Sequence, residues 1–225
     1  QIGTEAAVLI YFRRDIARIT VSWAKSLRQP ALRSSIDARM GWYVILGTIP
    51  IVVLGITFTS QIETIARNLW LTAVMLAGFG LLLGAADRWG HRTREISSLR
   101  AKDAILLGGA QALALVPGVS RSGATITMGL TLGLTREAAT RYAFLLAIPA
   151  VLGSGAYEAT RISNDPDVAW GAVIVATVIA FSVGYLVISW LIRYIATNSY
   201  LPFVLYRLGF AGVLVVLLLA GVLNA

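Results

Sequence analysis

The sequence predicts an all-α, polytopic membrane protein, and three observations carry that expectation. Uncharged apolar runs of spanning length recur, basic residues gather in the short segments between them, and one apolar stretch is broken by a proline and two glycines around an arginine. Hydrophobic residues make up 57% of the 225 and charged residues 13%, with a mean hydropathy of +0.77. A soluble domain does not have that balance. One integral membrane domain over residues 1–225 accounts for the chain, with no sign of a second, soluble one.

Taken in order, the runs are Gly41 to Ile62, Asn68 to Ala86, Val168 to Ile192 and a shorter one, Leu208 to Ala225. About 20 apolar residues cross the hydrocarbon core. Arg13, Arg14, Arg18, Lys25, Arg28, Arg33 and Arg39 crowd the first loop, and Arg88, Arg92, Arg94, Arg100 and Lys102 the loop after Ala86. Both are placed in the cytoplasm by the positive-inside rule. The connection Gln61 to Arg67 then lies outside, as does the acidic connection Glu158 to Asp167. One net crossing must separate Asp103 from that acidic connection, and Tyr142 to Tyr157 supplies it. Ala104 to Leu134 must therefore enter and leave on the cytoplasmic side, which predicts a re-entrant hairpin over residues 104–134. Arg136, Arg141, Arg193 and Arg207 are expected on the cytoplasmic side and the C-terminus outside.

Thr135 before Arg136-Glu137-Ala138-Ala139 reads as the N-cap of the helix carrying Tyr142 to Tyr157, and Pro149 predicts a kink in it. Thr48-Ile49-Pro50-Ile51-Val52-Val53-Leu54-Gly55 echoes Ala147-Ile148-Pro149-Ala150-Val151-Leu152-Gly153. The echo is weak support for an internal duplication.

The tip of the expected hairpin, Pro117-Gly118-Val119-Ser120-Arg121-Ser122-Gly123-Ala124-Thr125-Ile126, carries the chemistry. An arginine at bilayer depth costs roughly 3 to more than 10 kcal/mol and needs an anionic partner or a wet cavity. Proline and glycine break the helix there, and the resulting loop can aim backbone N–H groups, hydroxyls and the Arg121 fork at one point, as phosphate sites do. The alternative is a polar helix break with Arg121 paired to a glutamate for structure. Gln111, one or two turns before the tip, is either a ligand contact or a tether. Glu5 lies in the first apolar segment and is a functional candidate or an interfacial residue favoured by the helix dipole.

The net charge of +8 reflects loop residues without aromatic platforms, so no nucleic-acid partner is expected. The chain has no cysteine and one histidine, His91, which excludes thiolate and His-rich metal sites.

Gln111 to Ile126 closely resembles the second signature of the bacterial undecaprenyl-diphosphatase family, the bacitracin-resistance type. Gln1 to Glu5 leading to Arg13-Arg14, the Ile49-Pro50 span, Phe144 to Pro149 and Pro202-Phe203-Val204-Leu205-Tyr206-Arg207 look like further landmarks in family order. The resemblance implies inverted repeats with two re-entrant hairpins, a multi-pass protein of the bacterial inner membrane, and a site opening to the periplasmic side. It implies hydrolysis of undecaprenyl diphosphate with a divalent cation, Mg or Ca, recycling the lipid carrier for peptidoglycan synthesis. A homo-oligomer stays open. Under this reading Arg121 clamps the diphosphate, Ser120, Ser122 and Thr125 donate hydrogen bonds, Gly118 and Gly123 admit the backbone, and Gln111 supports the ligand. One serine could instead be a nucleophile. The family's first signature, with paired glutamates, a proline-serine-serine run and a histidine, has no match here; Gln1-x-x-x-Glu5 fits its opening only superficially. The expectation is an N-terminally truncated chain, inactive alone, whose metal ligands lie upstream, with Glu5 a weak candidate. The rival readings are an anion carrier built on the same half-helices and a lipid flippase or scaffold that only grips a headgroup.

Overall fold

The computed structural model describes residues 2–65, 68–163 and 169–223. Gln1, the C-terminal end and part of the acidic connection expected between Glu158 and Asp167 lie outside the described residues. Among the described residues ten α-helices follow one another: α1 (Ile2–Tyr11), α2 (Arg13–Arg28), α3 (Ile36–Thr57), α4 (Thr59–Ile65), α5 (Leu69–Trp89), α6 (Ala101–Ala112), α7 (Arg121–Thr131), α8 (Arg136–Ser163), α9 (Trp170–Thr197) and α10 (Leu201–Leu219). No strand occurs among the described residues. Four of the helices, α3, α5, α9 and α10, are long and apolar enough to span. This is the all-α, polytopic membrane protein that the composition predicts.

Element boundaries depart from the uncharged runs in instructive ways. The first basic segment is not a loop: Arg13–Arg28 is an amphipathic helix that buries Ile19 while its basic residues face outward. The first span stops at Thr57, and Thr59 opens a separate short helix, its hydroxyl donating to Gly55 O at 2.7 Å. The last span begins at Leu201, not Leu208. Pro202 is tolerated in a first turn, where its missing N–H is no loss, and Arg207 is thereby carried inside the helix.

The chain forms two compact units, Gln1–Ile45 with Phe144–Tyr194, and Leu46–Ala143 with Ile195–Ala225. In the first, Phe12 is buried with its ring 5.8 Å from Phe144, and Arg18 bridges Asp15 and Asp37 at 3.1 and 3.0 Å. Ile16, Ile19, Trp23, Leu145 and Ile148 are among the residues around an apolar recess of about 300 Å³.

The second unit packs α5 against α7 and α10, and α6 against α7. A Cβ on Gly108 would overlap Gly47 O, so α3 and α6 approach backbone to backbone. The feet of the α6–α7 pair are joined. Asp103, in the first turn of α6, accepts from Arg94 Nη2 at 2.6 Å and from the Arg100 N–H at 3.1 Å; Arg94 Nη1 donates to Leu132 O at 3.0 Å. An acid at a helix start and a base at a helix end both complement the dipole. Helix α7 stops because Gly133 takes φ +84°, its N–H donating to Leu130 O while the Leu134 N–H donates to Gly129 O. That is a Schellman ending, for which glycine is suited. Thr135 then caps α8, its hydroxyl oxygen accepting from the Ala138 N–H at 3.2 Å, as the sequence predicts. Helix α8 continues through Pro149 to Ser163.

Candidate anion-binding loop

The α6–α7 connection turns on three backbone positions. A short 3-10 turn, Leu113–Leu115, ends the first arm, and the Pro117 ring prevents further helix. Gly118 adopts φ +87°, and a Cβ there would overlap Thr72 O of α5. The loop lies against α5 because this residue has no side chain. Val119 is buried beneath the turn. Ser120 then takes φ +69°, rare for a residue with a Cβ, and its Oγ accepts from the Gly123 N–H at 3.2 Å to cap α7. A backbone position of this kind costs of order 1–3 kcal/mol and persists where the surroundings over-determine it. Such positions collect at ligand sites.

Arg121 is the first residue of α7, and Arg121, Ser122 and Gly123 are partly exposed while Ser120 is exposed. Ser120, Arg121 and Ser122 thus stand together at the accessible start of a helix, residue types and a helix end that suit phosphate. Thr125 departs from its expected place. It is fully buried, and its hydroxyl donates to Arg121 O at 2.9 Å, steadying the first turn of α7. Gln111 is likewise buried, with both amide atoms lacking a hydrogen-bond partner among the described residues. An unsatisfied buried polar group costs about 1–3 kcal/mol, which marks Gln111 as a group awaiting a partner.

Arg207 is the residue that sequence reasoning placed elsewhere. It was expected in a cytoplasmic segment; it sits inside α10, 9% exposed, beneath the loop. Its Nη2 donates to Gly118 O at 2.7 Å and Val119 O at 3.2 Å, and its Nε to Leu76 O at 3.2 Å. A Cβ on Gly123 would stand 3.6 Å from Nη1. No carboxylate pairs with it among the described residues. A charge seven residues into an apolar helix is a functional signal by default, and treating Arg207 as a loop residue concealed it. Two guanidinium groups therefore attend one turn, Arg207 holding its carbonyl groups from below and Arg121 opening the helix that follows.

Glu5 belongs to the first unit, where its carboxylate packs so closely on Gly155 that a Cβ there would overlap it. Among the described residues no three or more His, Asp or Glu side chains gather into a cation site. The loop's donors, guanidinium groups and backbone N–H groups, suit an anion and do not fit a metal ion.

An all-α chain with four membrane-length helices among the described residues, and with a strained, cation-backed turn between α6 and α7, is a multi-pass membrane protein. The family model described as bacitracin resistance protein BacA matches residues 1–213, and the chain belongs to that family. It is 54% identical to an undecaprenyl-diphosphatase of a Nocardioides species over 100% of this chain and 82% of that one. It is 57% identical to the undecaprenyl-diphosphatase of Kineococcus radiotolerans, covering 100% and 80%, and 52% identical to that of Thermobifida fusca, covering 100% and 77%.

Proposed function

We propose that this protein hydrolyses undecaprenyl diphosphate to undecaprenyl phosphate and inorganic phosphate, returning the lipid carrier to peptidoglycan synthesis and so conferring bacitracin resistance. Family membership supports the activity, and the Pro117 to Gly123 turn with Arg121 at the start of α7 is the observation that ties it to residues.

The reaction breaks one P–O bond of the anhydride. The bridging oxygen leaves with the electron pair on the lipid monophosphate, and oxygen from water completes the released phosphate. Charge on the non-bridging oxygens must be neutralised for this to proceed, and positioned donors do most of that work in phosphoryl transfer. Arg121 clamps the diphosphate with its planar fork, a geometry that lysine lacks. Ser120 and Ser122 face the same accessible turn and hydrogen-bond its oxygens, while Gly118 and Gly123 keep the backbone close. Gln111 completes its amide bonding on the loop side when the site is filled. Thr125 acts through the backbone of Arg121. The divalent cation that the resemblance implies is part of the proposal without a residue of this chain assigned to it.

We also propose that α6 and α7 form a re-entrant hairpin. Helices of 12 and 11 residues extend about 18 and 16 Å, roughly half of a hydrocarbon core of about 30 Å. The feet are tied together by Arg94 among basic residues expected in the cytoplasm, so the turn ends at mid-membrane depth in the bacterial inner membrane. The inverted repeats belong to the same proposal; the two proline-containing echoes fall in α3 and α8.

Phosphate release from undecaprenyl diphosphate by the protein expressed from its full natural reading frame, with and without magnesium, tests this reading. Magnesium-dependent release is expected. Lipid bound but left uncleaved would overturn it in favour of a carrier or scaffold.

A further inference from the structure

We propose a second anion site in this protein, at the opposite end of α5 from the loop, which takes the phosphate of an anionic membrane lipid. The recess, of about 310 Å³, is bordered by Arg88, Arg92, Arg136, Asp87, Ser199 and Leu201. The loop rests on Thr72 and Leu76, whereas the recess lies at Asp87 of the same helix. Fifteen residues of helix, from 72 to 87, put the two places about 22 Å apart. Positive-inside reasoning assigns the recess to the cytoplasmic face.

Its charge balance is what calls for an anion. Asp87 is fully engaged: Oδ1 accepts from Arg136 Nε at 2.5 Å and Oδ2 from the Tyr200 N–H at 3.0 Å. That leaves Arg88 and Arg92, neither of whose side chains has a hydrogen bond or ion pair among the described residues. Glu95 and Glu137 line the neighbouring recess beyond Arg92 and Arg136 and do not border this one, whose acid is Asp87. Arg92 is also held in a backbone state that a residue with a Cβ rarely adopts, φ +50°. The following Thr93 and Arg94 N–H groups both donate to Gly133 O, and Arg94 O accepts from Thr135, so the loop is pinned on one side of Arg92. The fold tolerates strain there and spends it on placing a guanidinium at the mouth.

The apolar rim selects a lipid. Trp89, next to Arg88, is 75% exposed, and Leu201 and Leu205, one turn apart on α10, are 55% and 59% exposed. An exposed tryptophan at the end of a span sits at headgroup level. A phosphate seated between Arg88 and Arg92 would leave its hydrocarbon chains along the Leu201 and Leu205 face.

The test uses the full protein in phosphatidylcholine nanodiscs, titrated with phosphatidylglycerol and read as the saturable rise in unfolding temperature. Arg88→Gln and Arg92→Gly are each expected to weaken apparent affinity roughly fivefold, the effect of one surface charge on an anionic lipid. Arg92→Gly removes the strain along with the charge, so it folds at least as well and separates lost binding from lost structure. Phosphate release in phosphatidylcholine alone stays unchanged. An undiminished rise in both variants would overturn the proposal. So would an equal, competing rise from inorganic phosphate, which would make this a free-anion site, or reduced phosphate release, which would tie both arginines to the loop instead.

Discussion

Arg207 Nη2 stands 2.7 Å from Gly118 O, and through that contact a cation buried in the last helix fixes the backbone of the turn ahead of Arg121. The same guanidinium reaches Leu76 O, so α5, α10 and the loop share one polar anchor. Arg207→Gln keeps part of the donor geometry and loses the charge, while Arg207→Lys keeps the charge and loses the fork. Hydrogen bonds to a charged group are worth about 1.5–3 kcal/mol, so either change should lower kcat/KM by about 10- to 100-fold. Steady-state phosphate release checks this, and turnover equal to wild type in both variants would remove Arg207 from the account.

Gly118→Ala combines a positive φ with an overlap onto Thr72 O. It should lower the unfolding temperature and abolish most activity. Gly109, exposed on α6 with nothing within 4 Å of an added Cβ, is the control. Gly109→Ala should be neutral or stabilise by up to about 1 kcal/mol through helix propensity. Thermal unfolding of the pair in detergent is decisive: similar losses in both would mean that the turn has no special demand for glycine.

At Ser120 the strain and the cap can be separated. Ser120→Gly relieves φ +69° and loses the Oγ cap; Ser120→Ala loses the cap and keeps the strain. Alanine should therefore be the less stable by about 1 kcal/mol, although both variants lose the hydroxyl and both should lose activity. Equal stability in the two would contradict the strain.

Tyr200 gives a pH signature outside the spans. Burial pushes its hydroxyl well above the ordinary tyrosine range, and the hydroxyl also pairs with Thr140. The folded protein keeps that proton where an unfolded chain, titrating near 10, releases it. Stability from this group is full below about pH 10 and declines as pH rises above it. Unfolding midpoints from about pH 8 to about pH 11 should fall less steeply for Tyr200→Phe than for wild type. Parallel slopes would show that other groups control the alkaline limit.

Much of this was legible in the sequence because bilayer solvation makes simple demands. Long uncharged runs reported α3, α5 and α9 to within about five residues, and the proline and glycine at 117 and 118 marked the break between α6 and α7, whereas Gly123 lies inside α7. Each failure has its own physical cause. Counting uncharged residues cannot see a charge that the fold satisfies internally, so Arg207 cut α10 short and was sent to a loop. An amphipathic helix such as α2 has no long apolar run, and it passed for a loop. The inward turn of Thr125 and the unpaired amide of Gln111 depend on packing between helices, which spacing alone does not report.

The central claim is that Arg121 clamps a diphosphate at the start of α7. Phosphate release from undecaprenyl diphosphate by wild type, Arg121→Lys and Arg121→Ala, with each variant shown to be folded and inserted, tests it most directly. The account predicts that kcat/KM collapses in both variants, lysine recovering little because it cannot bond in fork geometry. Turnover near wild type in Arg121→Ala would contradict it.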